Sequence, residues 1–102
     1  MNIRLVKRPS PDFWAILESR RVKTPYLEEI SVLPDAVGLI QGPVALILEA
    51  ADLAEKAAAV KVAEIHGVCP SHMSLIAIYG DTSAVAASLE AIREELCKTN
   101  PG

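Results

Sequence analysis

Residues 35–58 carry the sequence DAVGLIQGPVALILEAADLAEKAA, which decides the fold class. The continuous apolar run at 36–41 is typical of a strand that is buried on both faces. Gly42 and Pro43 then turn the chain, and Pro43 suits the first position of a helix because it has no N–H to leave unpaired. From Val44 to about Ala59, small and apolar residues recur at helical spacing: Ile47, Ala50, Ala51, Ala54, Ala57 and Ala58. The stretch therefore predicts a buried strand followed at once by a long helix.

The second half of the chain carries similar signals. Residues 61–65 alternate between polar and apolar side chains, which predicts a half-buried strand, and the apolar run at 73–79 predicts another. A turn at Gly80 leads into a second helix, with Asp81 or Thr82 as its N-cap. That helix has one apolar stripe, formed by Val85, Leu89, Ile92 and Leu96. From Ala36 onward the predicted order is strand, helix, strand, strand, helix.

The N-terminal segment is harder to interpret. Residues 2–8 fit a short edge strand, which the prolines that follow would end. Residues 12–18 fit either a helix capped by Ser10 or Asp12, or a buried strand that ends near Val22. Farther along, residues 24–29 have the cap, proline and acidic residues of a helix start.

The predicted order is that of an α+β, ferredoxin-like split βαβ sandwich, which needs a fourth strand after its second helix. The βαββα core would occupy residues 35–97, and no strand follows it in the sequence. The missing strand must then come from residues 1–34, as in a circular permutation, and residues 12–22 are the candidate. This reasoning favours a strand over a helix at 12–18. We expect a single permuted domain over residues 1–102.

Composition excludes several classes of function. The chain has 102 residues and a formal net charge of −3, and its only short basic run, at 20–23, indicates a solvated strand edge. We therefore expect no nucleic-acid partner. We also expect no membrane association and no signal peptide, because no apolar run approaches about 18 residues and the N-terminal charges precede no apolar core. Two cysteines without a CxxC motif indicate reduced thiols in the cytoplasm.

The size and apolar content of the chain leave two possibilities open. Hydrophobic residues make up 51% of the sequence, but aromatic residues only 4%, and alanine is abundant. Small side chains let backbones approach closely but fill little volume. The chain either has a plain alanine-rich core or buries part of its surface against copies of itself.

Both histidines and one of the cysteines lie between the two C-terminal strands, in the loop His66-Gly67-Val68-Cys69-Pro70-Ser71-His72. The H-x-x-C-x-x-H spacing offers imidazole and thiolate ligands, which zinc prefers, but one chain lacks a fourth ligand. Cys69 also fits a small buried hydrophobe at a strand end. No nucleophile–base pair and no phosphate-binding loop are evident in the sequence, so we do not expect an enzyme.

The strand AVGLI at 36–40 and the helix segment EAADLAEKAA at 49–58 together resemble the bacterial microcompartment (BMC) shell domain. The segment LIAIYGD at 75–81 resembles the strand-to-helix step of its circularly permuted members. The resemblance covers about residues 35–96, and the chain departs from it at Gln41, where many shell proteins carry glutamate. It implies a structural protein of the shell in the cytoplasm, a homohexamer, with other shell proteins and encapsulated enzymes as partners.

In that family the loop between the central strands faces the pore of the ring. A Gly-x-Cys-Pro loop resembles the GrpU type of shell protein, found in glycyl-radical propanediol microcompartments, which binds an iron–sulfur cluster in the pore. The resemblance implies that Cys69 is a ligand of such a cluster, expected to be [4Fe–4S] and shared between subunits, with an electron-transfer or redox function. One thiol cannot supply the roughly four ligands that a cluster needs. The implied pore lining is His66, Gly67, Val68, Pro70, Ser71 and His72, and zinc is the less favoured metal.

Two further residues have competing interpretations. Lys56 and Asp52 form an i,i+4 pair that is ordinary on a helix surface. The family resemblance implies instead that Lys56 lies at the hexamer edge, where two hexamers meet. Cys97, near the end of the last helix, fits helix-end packing or a free thiol. For the whole chain, the competing class is a small oligomeric ferredoxin-like ligand-binding or regulatory domain without a metal centre.

Overall fold

The computed structural model describes residues 1–22, 33–67 and 72–97. In chain order the elements are β1 (Asn2–Lys7), α1 (Pro11–Arg20), β2 (Ala36–Pro43), α2 (Val44–Ala57), β3 (Lys61–Glu64), β4 (Met73–Gly80), α3 (Thr82–Ile92) and a π-helical turn (Arg93–Cys97). The strands form one four-stranded antiparallel sheet in the order β1-β2-β4-β3. From β2 to α3 the order is βαββα, and β1 supplies the remaining strand beside β2. The α+β, permuted split βαβ architecture is therefore confirmed.

Helices α2 and α3 pack on one face of the sheet. They cover Ala36 and Ile40 of β2 and Ile76 and Ile78 of β4, all buried. The predicted stripe of α3 is confirmed, since each of its members is buried in this cluster: Val85, Leu89, Ile92 and Leu96. On α2, the predicted face is buried only in part, at Ile47, Ala50 and Ala54.

Helix α1 covers the opposite face of the sheet. Its Trp14 and Leu17 pack against Val37 and against a group of β3 and β4 residues that includes Ala77 and Tyr79. The sheet is thus covered on both sides at β2. That arrangement explains why β2 is an uninterrupted apolar run and does not alternate.

The prediction of a strand at 12–18 is wrong, because residues Pro11–Arg20 form a helix. Ser10 is its N-cap, and its hydroxyl oxygen accepts a hydrogen bond from the Phe13 N–H at 3.2 Å. Pro11 occupies the first turn, where its missing N–H costs nothing. The local capping signals therefore outweighed the topological argument for a strand.

The fourth strand is β1, which means that the assignment of residues 12–22 to that role is also wrong. Asn2 pairs opposite Gln41 and Lys7 opposite Ala36, so β1 lies along residues 36–41 of β2. The prediction of an edge strand at 2–8 is confirmed, with bounds Asn2–Lys7. The prediction of a permuted fold is confirmed. The strand that completes the sheet is β1, which comes before residues 12–22 in the sequence.

Smaller differences concern turns and termini of elements. Pro43 is the last residue of β2 and the N-cap of α2, so α2 begins at Val44, one position after the predicted first helical residue. The predicted helix at 24–29 lies outside the described residues. In the described part of the chain, no helix combines the length and the apolar character that crossing a bilayer requires.

Helix α3 begins at a side-chain cap. The Asp81 carboxylate accepts hydrogen bonds from the Ala84 N–H at 2.8 Å and from the Ser83 hydroxyl at 3.0 Å. These bonds favour the charged form and hold the pKa of Asp81 below its usual value of 3.8. A pKa that is lower in the folded state stabilises the protein above the unfolded pKa, and this contribution disappears as the pH falls through the folded pKa.

We expect Asp81→Ala to lower the thermal unfolding midpoint near neutral pH, because α3 loses its N-cap. Most of the difference from wild type should vanish as the pH falls through the lowered pKa of Asp81, because the carboxyl group is then protonated in both the folded and the unfolded state. Circular dichroism melts over this pH range measure the effect, with Asp35→Ala as an exposed control. If the unfolding midpoint of Asp81→Ala stays below that of wild type by the same amount at all pH values, this account is contradicted.

Candidate functional site

The candidate site lies at the end of the β3–β4 hairpin. Glu64 pairs opposite Ile76, and beyond β3 the Ile65 N–H donates to the Leu75 carbonyl at 2.9 Å. The predicted loop therefore leaves and re-enters the sheet at one end of adjacent strands. Its described members are all exposed: His66, Gly67 and His72. The other predicted site residues lie outside the described residues: Val68, Cys69, Pro70 and Ser71.

Both ends of the loop are attached to helices by backbone hydrogen bonds. The His66 N–H donates to the Arg20 carbonyl, the last residue of α1, at 2.6 Å. At the other end, the Val44 N–H, the first of α2, donates to the His72 carbonyl at 3.1 Å. Helix α2 has no side-chain N-cap, so His72 pairs one N–H group that α2 would otherwise leave unpaired. The two described ends of the loop are thus held in place by the domain core.

Arg21, directly after α1, is a buried cation that the sequence analysis missed. Its side chain is 5% exposed, and its Nε donates to Glu18 Oε1 at 3.0 Å, with Nη2 bonded to the same oxygen. Burial acts to lower the pKa of Arg21, but the Glu18 carboxylate outweighs it and the pKa is raised. The prediction of a solvated strand edge at 20–23 is therefore wrong at Arg21. The i,i+3 spacing from Glu18 would have indicated the pair once residues 11–20 were recognised as a helix.

Lys56 lies on the exposed side of α2. Its Nζ is 2.7 Å from Asp52 Oδ2, and the two side chains are 72% and 60% exposed. The hydrogen bond to Asp52, and the charge of its carboxylate, raise the pKa of Lys56. Val44 and Leu48 precede this pair at four-residue spacing and are also exposed. The outer face of α2 therefore has an exposed apolar pair in its first half and an exposed ion pair in its second.

The described part of one chain does not supply a metal site by itself. Within residues 1–22, 33–67 and 72–97, no three His, Cys, Asp or Glu side chains form a group that could hold a metal ion. An iron–sulfur cluster requires about four ligands, normally thiolates. Cys97 is an exposed free thiol on the π-helical turn, in agreement with one of its two predicted interpretations.

Comparisons with known proteins give a consistent family. Residues 36–101 match the BMC domain. A comparison with curated protein sequences gives no match. A ligand-free GrpU microcompartment shell protein from Clostridiales bacterium 1_7_47FAA is 36% identical, with a TM-score of 0.68 over 91% of this chain and 88% of that one. The GrpU shell protein from Pectobacterium wasabiae is 32% identical, with a TM-score of 0.71 over 90% of this chain and 99% of that one.

A fused, permuted hexameric shell protein of the RMM microcompartment supports the permuted fold alone. It is 21% identical, with a TM-score of 0.69, and this chain covers 45% of its length. The GrpU matches and the domain match confirm the resemblance that the sequence indicated. The chain belongs to the BMC-domain family and is a structural shell protein of a microcompartment.

Proposed function

We propose that the chain forms a homohexameric ring in the shell and that the ring binds an iron–sulfur cluster at its central pore through Cys69. In this role the protein is not an enzyme, and the cluster would carry electrons across the shell. The observation that supports the proposal is the position of the loop. Its described ends are exposed at the end of a BMC-domain hairpin, and each is attached to a helix.

Symmetry explains how a single cysteine per chain can serve as a cluster ligand. Cyclic oligomers repeat each residue around one axis, so one exposed loop per chain becomes a ring of loops. Thiolates gathered at the axis would repel each other, and binding iron would relieve this repulsion and hold the thiols deprotonated. A cluster with about four ligand sites cannot use every thiol of a hexamer equally. Some Cys69 thiols would therefore remain unbound.

The histidines fit a supporting role in such a pore. His66 and His72 are exposed at the two ends of the loop, three residues on either side of Cys69 in the sequence. Imidazole N–H groups can donate hydrogen bonds to cluster-bound sulfur, which raises the reduction potential. The two side chains, with Gly67, Val68, Pro70 and Ser71, are proposed to line the pore.

Anaerobic purification of the full chain tests both parts of the proposal. We expect a hexamer by light scattering, a brown colour with broad visible absorbance, and iron and acid-labile sulfide in about equal amounts. A colourless hexamer without iron would overturn the cluster and leave the shell role intact. A monomer or dimer at high protein concentration would overturn the ring. A metal-free oligomer that binds a small organic ligand would favour the regulatory class instead.

We further propose that Lys56 lies at the edge of the hexamer and contacts a neighbouring hexamer. Because Lys56 is exposed, Lys56→Glu should leave the ring and its thermal midpoint nearly unchanged but prevent rings from assembling into sheets. Electron microscopy of concentrated samples should show extended sheets for wild type and isolated rings for the variant.

The matched control for Lys56 is Asp52→Asn, which removes the ion pair and retains the lysine. We expect this control to form sheets, since the proposed contact uses the lysine. Sheets from Lys56→Glu would mean that the pair is only a solvated salt bridge. Loss of sheets in both variants would assign the effect to the pair and not to Lys56.

A further inference from the structure

Residues 20–22 run beside the end of β3 like a short additional strand. Arg21 and Ile65 form an isolated antiparallel bridge. On either side of it, the Val22 N–H donates to the Glu64 carbonyl at 2.8 Å and the His66 N–H donates to the Arg20 carbonyl at 2.6 Å. These three residues, which we call the strap, extend the sheet beyond β3 where the candidate loop begins.

The strap is anchored by the side chain of Arg21. Among the described residues, Arg21 is the only charged side chain that is buried. Its guanidinium binds Glu18 one turn back on α1 and interacts with Tyr79 of β4, which is itself buried against α1. A buried cation tolerates little movement, because leaving its partners would leave a charge without compensation. Arg21 thereby joins α1, the sheet and the strap.

We propose that the strap fixes the base of the candidate loop and that Arg21 is its positioning residue. The inference rests on the proposed function of the loop, since its consequence is the placement of Cys69 around the ring. The His66 amide, held by the strap, is three residues before Cys69 in the sequence. Ligand sites of this kind need supporting groups that hold them within a fraction of an ångström. Symmetry would repeat any displacement of the base in every chain.

The strap can be tested without a cluster, by amide hydrogen exchange of the full-length protein. In Arg21→Gln, we expect exchange at Val22 and His66 to accelerate about tenfold, because their hydrogen bonds hold the strap to β3. Exchange at Ile78, in the centre of β4, should change less than about twofold. Glu18→Gln should show the same localised effect more weakly, and Arg21→Lys should restore part of the protection. Arg4→Gln, which alters an exposed arginine of β1 outside the strap, is the matched control.

The second readout is the iron content of anaerobically reconstituted protein. We expect iron per chain and visible absorbance to fall severalfold in Arg21→Gln, to recover partly in Arg21→Lys and to stay at the wild-type level in Arg4→Gln. Unchanged exchange at Val22 and His66, or equal acceleration at Ile78, would overturn the strap. If exchange in Arg21→Gln accelerates only at Val22 and His66 but the iron content stays at the wild-type level, the positioning role is overturned. A wild-type protein without iron would overturn the proposed function, and the exchange data would still decide whether the strap exists.

Discussion

Replacing Cys69 by serine is expected to remove the iron from the ring. A serine hydroxyl stays protonated near neutral pH and is a hard oxygen ligand, whereas iron–sulfur clusters are held by soft thiolates. Wild-type rings should contain about four irons, or about 0.7 iron per chain. The Cys69→Ser ring should contain almost none and should lack visible absorbance, with an unchanged molecular mass. Iron and sulfide assays with light scattering on the same samples measure both quantities.

The chain provides its own matched control at Cys97. Cys97 is an exposed free thiol at the far end of the last helical segment, so Cys97→Ser should keep the wild-type iron content. Retention of iron in Cys69→Ser, or its loss in Cys97→Ser, would contradict the assignment of Cys69. The pair of variants separates a specific ligand from non-specific iron binding by thiols.

Mixed rings make the argument for a shared site quantitative. If Cys69→Ser and wild-type chains are co-expressed, a ring should keep its cluster as long as about four wild-type thiols remain. Iron per ring should then fall steeply and non-linearly with the fraction of variant chains. A site within one chain would give a linear decrease instead. Native mass spectrometry resolves the ring compositions and the iron that each one carries.

The sequence predicted most of the fold because its signals are local and repeated. The strand at 36–41 was predicted from a continuous apolar run, and the helix after Pro43 and the stripe of α3 from helical periodicity. All three are observed. Residues 12–18 were misassigned because the need for a fourth strand was given more weight than the helix cap at Ser10. The requirement itself was correct, but β1 met it, and only the register of β1 on β2 shows this.

The candidate site was accessible to sequence reasoning in a different way. The types and spacing of His66, Cys69 and His72 drew attention to the loop, and the family resemblance implied that it faces a pore. Arg21 could not be found in this way, because its burial depends on α1 lying across the sheet near Tyr79. A basic run usually indicates a solvated surface, and only the tertiary arrangement reverses that expectation here. The burial of such a side chain is therefore the part of a site that a sequence reveals least.

At Gly38 the side chains of β4 and α3 lie so close to the backbone of β2 that a larger residue should destabilise the protein. A Cβ atom at Gly38 would lie 2.9 Å from Ile78 Cγ1 and 2.9 Å from Leu89 Cδ2. Both neighbours are almost completely buried, so neither has free space to move into. We expect Gly38→Ala to lower the free energy of unfolding by about 1–3 kcal/mol through overpacking. Gly42→Ala is the control, since its nearest contact would be the side chain of Met1 at 3.3 Å.

A double-mutant cycle with Leu89 tests whether contact with that side chain is the cause. Leu89→Ala alone should lower the free energy of unfolding by about 2–5 kcal/mol, because it leaves a cavity under α3. In Gly38→Ala/Leu89→Ala the new methyl group occupies part of that cavity, so the combined loss should be smaller than the sum by about 1 kcal/mol or more. Urea unfolding at one fixed protein concentration measures all four proteins, since subunit association also affects stability. If the losses in unfolding free energy of the two single variants simply add in the double variant, contact with Leu89 is not the reason that position 38 needs glycine.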